Sequence, residues 1–284
     1  MGRDSEYLEI KQIEISGGLT GSFIRKGKVE CPTCVVVPGL FQHINGLRHL
    51  INSLSEHFDV ICLAVPGADG SSPLPSYTLK AVRQWPADVL TALGIHKALF
   101  VSVSLGAPLI VPYLAEAEEE TAAAYVIQDP VTKVSDTHLW LQLLYHTHRI
   151  SRKLKLGWLS LSGIWLLRAI LAHGLRIGFA RALLQMRLKT LTEIGDFLDR
   201  SPIRELAAQA SERIPTMPVL SGEGTPWLVR AGSIRRMTDS LSSVRTAILH
   251  RAGHFLHRRD QKELAKQIVE FAKERGILEA GESA

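Results

Sequence analysis

A chain of 284 residues, 46% of them hydrophobic, is long enough to bury a sizeable core as one α/β domain with an insertion. No stretch reaches the roughly eighteen uncharged apolar residues of a membrane span, and "MGRDSEYLEIKQ" has no apolar signal-peptide core, so a cytoplasmic location is expected. The net charge of +5 comes with no recognised nucleic-acid motif and no aromatic-interleaved basic stripe, so no nucleic-acid partner is expected.

"YLEIKQIEIS" alternates with period two, Gly17-Gly18 supplies a turn and "TGSFIRKG" returns, which predicts an N-terminal hairpin. Cys31-Pro32-Thr33-Cys34 has the spacing of a redox or zinc pair. It leads into a strand rather than a helix, however, and no second Cys/His pair completes a metal site. Two ordinary thiols at a strand start are expected, with no metal and no cofactor. Strands are then expected at 34–37, 60–65, 99–103, 123–127, 218–220 and 246–249. Helices are expected between them at 46–56, 79–93, 107–117, 231–239 and 261–274. Runs that are apolar throughout, such as "VVV" and "LFVSV", suit strands buried on both faces. The fold class is therefore α/β, a mostly parallel central sheet flanked by helices. From 131 to 213 the alternation gives way to helical periodicity broken by glycines. This divides the chain into a core of 1–130 and 214–284 and a helical cap insertion of 131–213.

Chemistry enters at "KALFVSVSLGAP", where a strand-like run stops at Ser102-Val103-Ser104-Leu105-Gly106. A nucleophilic serine on a sharp strand-to-helix turn is marked by Gly-x-Ser-x-Gly, because small flanking residues let the chain turn and expose the hydroxyl. Here Ser102 occupies the first small position, so Ser104 is a candidate nucleophile on a relaxed motif.

Three stretches together resemble the α/β-hydrolase family. "VVVPGLFQHINGLRHLINSLSEHFDVICLAVPGADGSS" is similar to its strand, oxyanion loop, helix, strand and turn. "YTLKAVRQWPADVLTALGIHKALFVSVSLGAP" is similar to the helix and nucleophile elbow, and "HRAGHFLHRRDQKELAKQIVEFAKE" to the histidine loop and terminal helix. The resemblance implies Ser104 as nucleophile and His254 as base. It also implies an oxyanion hole made by the backbone N–H groups of Leu40 and Leu105. Pro38 and Val103 stand where the family commonly has histidines, and Thr225 in "SGEGTPW" takes the usual place of the catalytic aspartate. The acid that would orient His254 is therefore open. Asp129, just past the sixth strand, is the candidate from a position that some members use; Glu223 is a second, and a dyad without an acid is a third. Asp69, in the turn "PGADGSS", reads as a structural residue.

The segment from His146 to Lys189 holds no acidic residue, and "LGWLSLSGIWLL" is flanked by Arg149, Arg152, Lys153, Lys155 and Arg168. Apolar helix faces closing over the sheet with basic stems on the surface explain this pattern. A hydrophobic acyl tunnel with a basic rim for an anionic carrier, or for weak contact with a membrane surface, explains it too. Two function classes follow. One is a serine hydrolase of an ester, thioester or lactone with a hydrophobic small-molecule or acyl part, free or carrier-bound. The other, kept open by Thr225, is a non-hydrolytic member of the fold, a lyase or cyclase or a ligand-binding protein. The oligomeric state is not legible.

Overall fold

The computed structural model of the chain describes residues 7–39, 42–118, 120–137, 142, 145–146, 149–150, 188–222, 231–242, 245–254 and 256–279. The hairpin forms from β1 (Lys11–Ile15) and β2 (Leu19–Lys26), joined through Gly17 and Gly18 at positive φ. It leads into β3 (Thr33–Val37), α1 (Arg48–Leu54) and β4 (Asp59–Leu63). A turn at Ile44–Leu47, capped by the His43 side chain, takes the place of the first turn expected of that helix. Then come α2 (Leu79–Ala92), β5 (Ala98–Val103), α3 (Ala107–Leu114) and β6 (Ala122–Gln128). Helices α4 (Leu188–Arg200) and α5 (Ile203–Arg213) fall inside the stretch expected as an insertion, and beyond it come β7 (Thr216–Ser221), α6 (Ala231–Thr238), β8 (Ala247–Leu249) and α7 (Arg258–Glu274).

The strands make one eight-stranded sheet in the order β1-β2-β4-β3-β5-β6-β7-β8. Pairing is antiparallel at β1–β2 and β2–β4 and parallel from there to β8. Alternation divides each apolar strand between two cores. Val35 and Val37 face one with Trp85 and Val89 of α2 and Leu109 of α3, while Cys34 and Val36 face the other with Leu50 of α1 and Ile268 and Phe271 of α7. Burial on both sides explains why these strands are apolar throughout. Cys34 and Cys62 are fully buried free thiols, and burial pushes both well above the usual thiol range, so they behave as small hydrophobes. Cys31 is free as well.

Within the stretch expected as an insertion, α5 packs on α3, and its Ala207 and Ala210 join the core beneath α2 and α3. Ile194 and Phe197 of α4 join the same core. Residues 151–187, with Arg152, Lys153 and Lys155, lie outside the described residues. Among the described residues, no helix is long and apolar enough to cross a membrane.

Candidate active site

The site forms at the C-terminal ends of the parallel strands, where β5 and β6 lie side by side. After Val103 the backbone turns at Ser104 with φ 53°, a left-handed conformation that costs a residue bearing a Cβ. The turn is tight enough that a Cβ at Gly106 would come 2.3 Å from the carbonyl oxygen of Val37 and 2.6 Å from that of Pro38. Glycine is therefore required there by contact with backbone. The other small position tolerates Ser102 because its Oγ is 2.6 Å from the hydroxyl of Tyr125. Burial pushes that phenol well above its usual range, an effect the Ser102 hydrogen bond only partly opposes, so Tyr125 stays protonated and serves as a strut.

His254 lies in the loop between β8 and α7. That loop is tied to the sheet where Gly222 N–H donates to the carbonyl of Leu249 at 2.9 Å, and a Cβ at Gly222 would come 2.6 Å from the carbonyl oxygen of His250. Across 150 positions of sequence, His254 Nε2 meets Ser104 Oγ at 2.7 Å. Both side chains are buried. With Nε2 as the acceptor of the serine proton, the imidazole carries its own proton on Nδ1. A carboxylate oxygen of Asp129, Oδ2, lies 3.5 Å from Nδ1. This is an ion-pair distance somewhat longer than a well-formed N–H···O bond.

Asp129 is itself fixed in several ways. It is 1% exposed and has φ 41°, a left-handed conformation that Asp adopts at lower cost than most residues. Its backbone N–H donates to Val219 at 3.1 Å, and its Oδ1 accepts from Ser221 N–H at 2.9 Å. The following segment is folded back by Asp136 Oδ2, which accepts from the N–H groups of Thr132 and Lys133 and from the Thr132 hydroxyl. Val131 N–H reaches the carbonyl of Ser104 at 3.4 Å, so the turns after β5 and β6 touch.

Ser104, His254 and Asp129 thus come together at one place. Leu105 follows Ser104 in the same turn, with its N–H at the start of the path into α3. Leu40, Glu223 and Thr225 lie outside the described residues. Asp69 braces the loop after β3: its Oδ2 accepts from Ile44 N–H at 2.9 Å and its Oδ1 is 3.0 Å from His43 Nε2. His43 Nδ1 accepts from Asn45 N–H at 3.1 Å, so the neutral ring donates through Nε2 to Asp69. This pair lines a cavity of about 480 Å³ together with Ile10, Gly70, Ser72 and Thr190. Among the described residues, no group of three or more His, Cys, Asp or Glu side chains could hold a metal ion. The expectation that the basic cluster has no acid nearby is corrected at Arg149, whose Nε is 3.5 Å from Asp196, a residue that also accepts from the Tyr145 hydroxyl. Its partner comes from α4, more than forty positions along the chain, which a local charge count does not reach.

A family model described as the alpha/beta hydrolase family matches residues 34–267. No curated protein matches the chain. Among solved structures, a hydrolase from Pseudomonas aeruginosa superposes with a TM-score of 0.71 at 18% identity, covering 93% of this chain and 98% of its own. An enol-lactonase from Burkholderia xenovorans gives 0.69 at 16% identity, covering 93% of this chain and 100% of its own. A naproxen esterase from Bacillus subtilis gives 0.62 at 16% identity, covering 93% and 92%. At these identities the likeness is one of fold.

Proposed function

The chain belongs to the α/β-hydrolase family, and from that premise we propose that it is a serine hydrolase of an ester, thioester or lactone with an apolar acyl part. The observation that carries this reading is the 2.7 Å contact between Ser104 Oγ and His254 Nε2 at the end of a buried strand. His254 Nε2 takes the hydroxyl proton as Oγ bonds to the acyl carbon, and the carbonyl electron pair moves onto its oxygen. The N–H groups of Leu105 and Leu40 hold that oxyanion. When the intermediate collapses, His254 returns the proton to the departing alcohol or thiol, leaving an acyl group on Ser104. Water, deprotonated by the same nitrogen, then attacks the acyl carbon, and the acid and free Ser104 are released. Asp129 holds the Nδ1 proton and stabilises the imidazolium while the proton is on Nε2. A fluorophosphonate probe mimics the acyl substrate and requires an activated serine. Mass spectrometry should find the phosphonyl group on Ser104, with none on the Ser104→Ala protein. Failure of the wild type to label, or undiminished turnover in Ser104→Ala, would favour a non-hydrolytic member of the fold.

The substrate proposal rests on the composition of the cap, in which leucine and tryptophan interleave with basic residues. Because Arg149 pairs with Asp196, the charge offered to an anionic carrier falls to Arg152, Lys153 and Lys155. Exposed charges chiefly accelerate encounter and are screened by salt. Raising salt, or reversing these three charges, should lower kcat/KM for a carrier-bound anionic thioester and leave a small neutral ester unaffected. Equal effects on both substrates would reduce the basic residues to a solvating role.

A further inference from the structure

Apart from the Tyr125 hydroxyl, the side chains of β6 up to Ile127 are apolar, and then a glutamine follows. Gln128 is fully buried, its backbone set between Val103 of β5 and Val219 of β7. Its side-chain amide finds two acceptors. Gln128 Nε2 donates to Asp129 Oδ2 at 2.6 Å and to Ser221 Oγ at 3.2 Å. Ser221 Oγ in turn donates to the carbonyl of Gly253 at 3.2 Å, the residue immediately before His254. One amide therefore holds the carboxylate that faces the histidine and the serine that anchors the histidine's own loop.

The amide cannot be turned over without loss. Rotated by half a turn, Oε1 would face the carboxylate oxygen of Asp129 and repel it. In the observed orientation Gln128 Oε1 has no hydrogen-bond partner among the described residues. Burying such an oxygen disfavours folding, and an apolar side chain of the same length would avoid that cost. The position therefore keeps a polar group whose two hydrogens both go to the machinery around His254.

We propose that Gln128 is a positioning residue for the reaction, acting through Asp129 and Ser221 to set the His254 ring against Ser104. This rests on the hydrolase reading above. The carboxylate reaches Nδ1 at 3.5 Å rather than in a tight bond, so its direction depends on what holds it from behind: Gln128 on Oδ2 and Ser221 N–H on Oδ1. Without the amide, Oδ2 loses its anchor and Ser221 Oγ loses a donor, which loosens both ends of the same linkage.

The rate of fluorophosphonate labelling, measured from pH 5 to pH 9 alongside the melting temperature, tests this without knowledge of the natural substrate. Gln128→Met should melt near the wild type but label roughly tenfold more slowly or worse, because misplaced catalytic groups forfeit rate while the core stays filled. With a substrate ester the loss should fall in kcat and spare KM, since Gln128 touches no substrate. Gln128→Glu adds a signature that a packing role would not produce. Two adjoining carboxyls share one proton, so labelling should approach the wild-type rate at low pH, where the new carboxyl donates as the amide did. It should fall away as pH rises and that proton leaves. A folded Gln128→Met that labels within about twofold of wild type overturns the proposal. So does a Gln128→Met that fails to fold, since the amide would then be serving the core, and so does a Gln128→Glu profile parallel to wild type. A wild type that is not labelled at Ser104 overturns the hydrolase reading itself and this inference with it.

Discussion

Asp129 and Ser104 carry their side chains on left-handed backbone, at φ 41° and 53°, and residues that bear a Cβ persist there only when their surroundings enforce it. For Ser104 the enforcement comes from β5 behind it and Gly106 ahead. For Asp129 it comes from Ser221 N–H, Gln128 and the fold of the chain about Asp136. If Asp129 orients the histidine, Asp129→Asn should lower kcat by roughly a thousandfold with the fold intact, because the tautomer of His254 is no longer imposed. Thr225→Ala and Glu223→Gln should keep nearly full activity. Near-normal turnover in the Asp129 variant, or collapse in either of the others, would return the acid's role to the loop after β7. As candidates, Ser104 and His254 were legible from local spacing because their motifs are contiguous in the chain. Asp129 was legible only as one of several options, since a sequence does not show that the ends of β6 and β7 point into the same place. Gln128 and Ser221 were not legible at all. A glutamine closing an apolar strand and a serine opening a loop are ordinary terminal residues until pairing across the sheet brings them together.

The turn at Ser104 owes its shape to its neighbour strand, because the space beside Gly106 is filled by the carbonyl groups that end β3. Gly106→Ala should therefore destabilise the protein by about 2–4 kcal/mol, read from denaturant unfolding, since backbone rather than a movable side chain stands in the way. Ala tolerated there within about 0.5 kcal/mol would mean the turn relaxes freely. The same packing explains why Ser102 serves at the relaxed position of the motif: its neighbour there is Tyr125 of β6, which accommodates and bonds a hydroxyl. The strands were readable because double-sided burial leaves an unmistakable apolar run. The start of α7 was read three residues late. Asp260 Oδ2 accepts from His257 N–H at 2.9 Å and begins the helix among charged residues, ahead of its first apolar turn.

Across the whole molecule, the parallel strands from β4 to β8 position the proposed catalytic groups unequally. The class of fold was legible because alternating strand and helix signals leave few topologies. The packing of α5 on α3 was not, since helical periodicity gives a face to bury and not the surface it meets. Ser104 and Asp129 directly follow two interior strands of the sheet, β5 and β6, each paired on both sides. His254 follows β8, a three-residue strand paired on one side only. Protein structure opens from its weakest edges inward, and a short edge strand exchanges its amide hydrogens long before a central one. As the temperature climbs, His254 should thus be the first of the three to wander, with the Ser221 contact to Gly253 among the ties that hold its loop. Catalytic failure should come several degrees before circular dichroism registers any loss of the sheet, and cooling from that interval should restore turnover in full. Simultaneous loss of both signals would mean that the margin of the sheet is as firm as its centre.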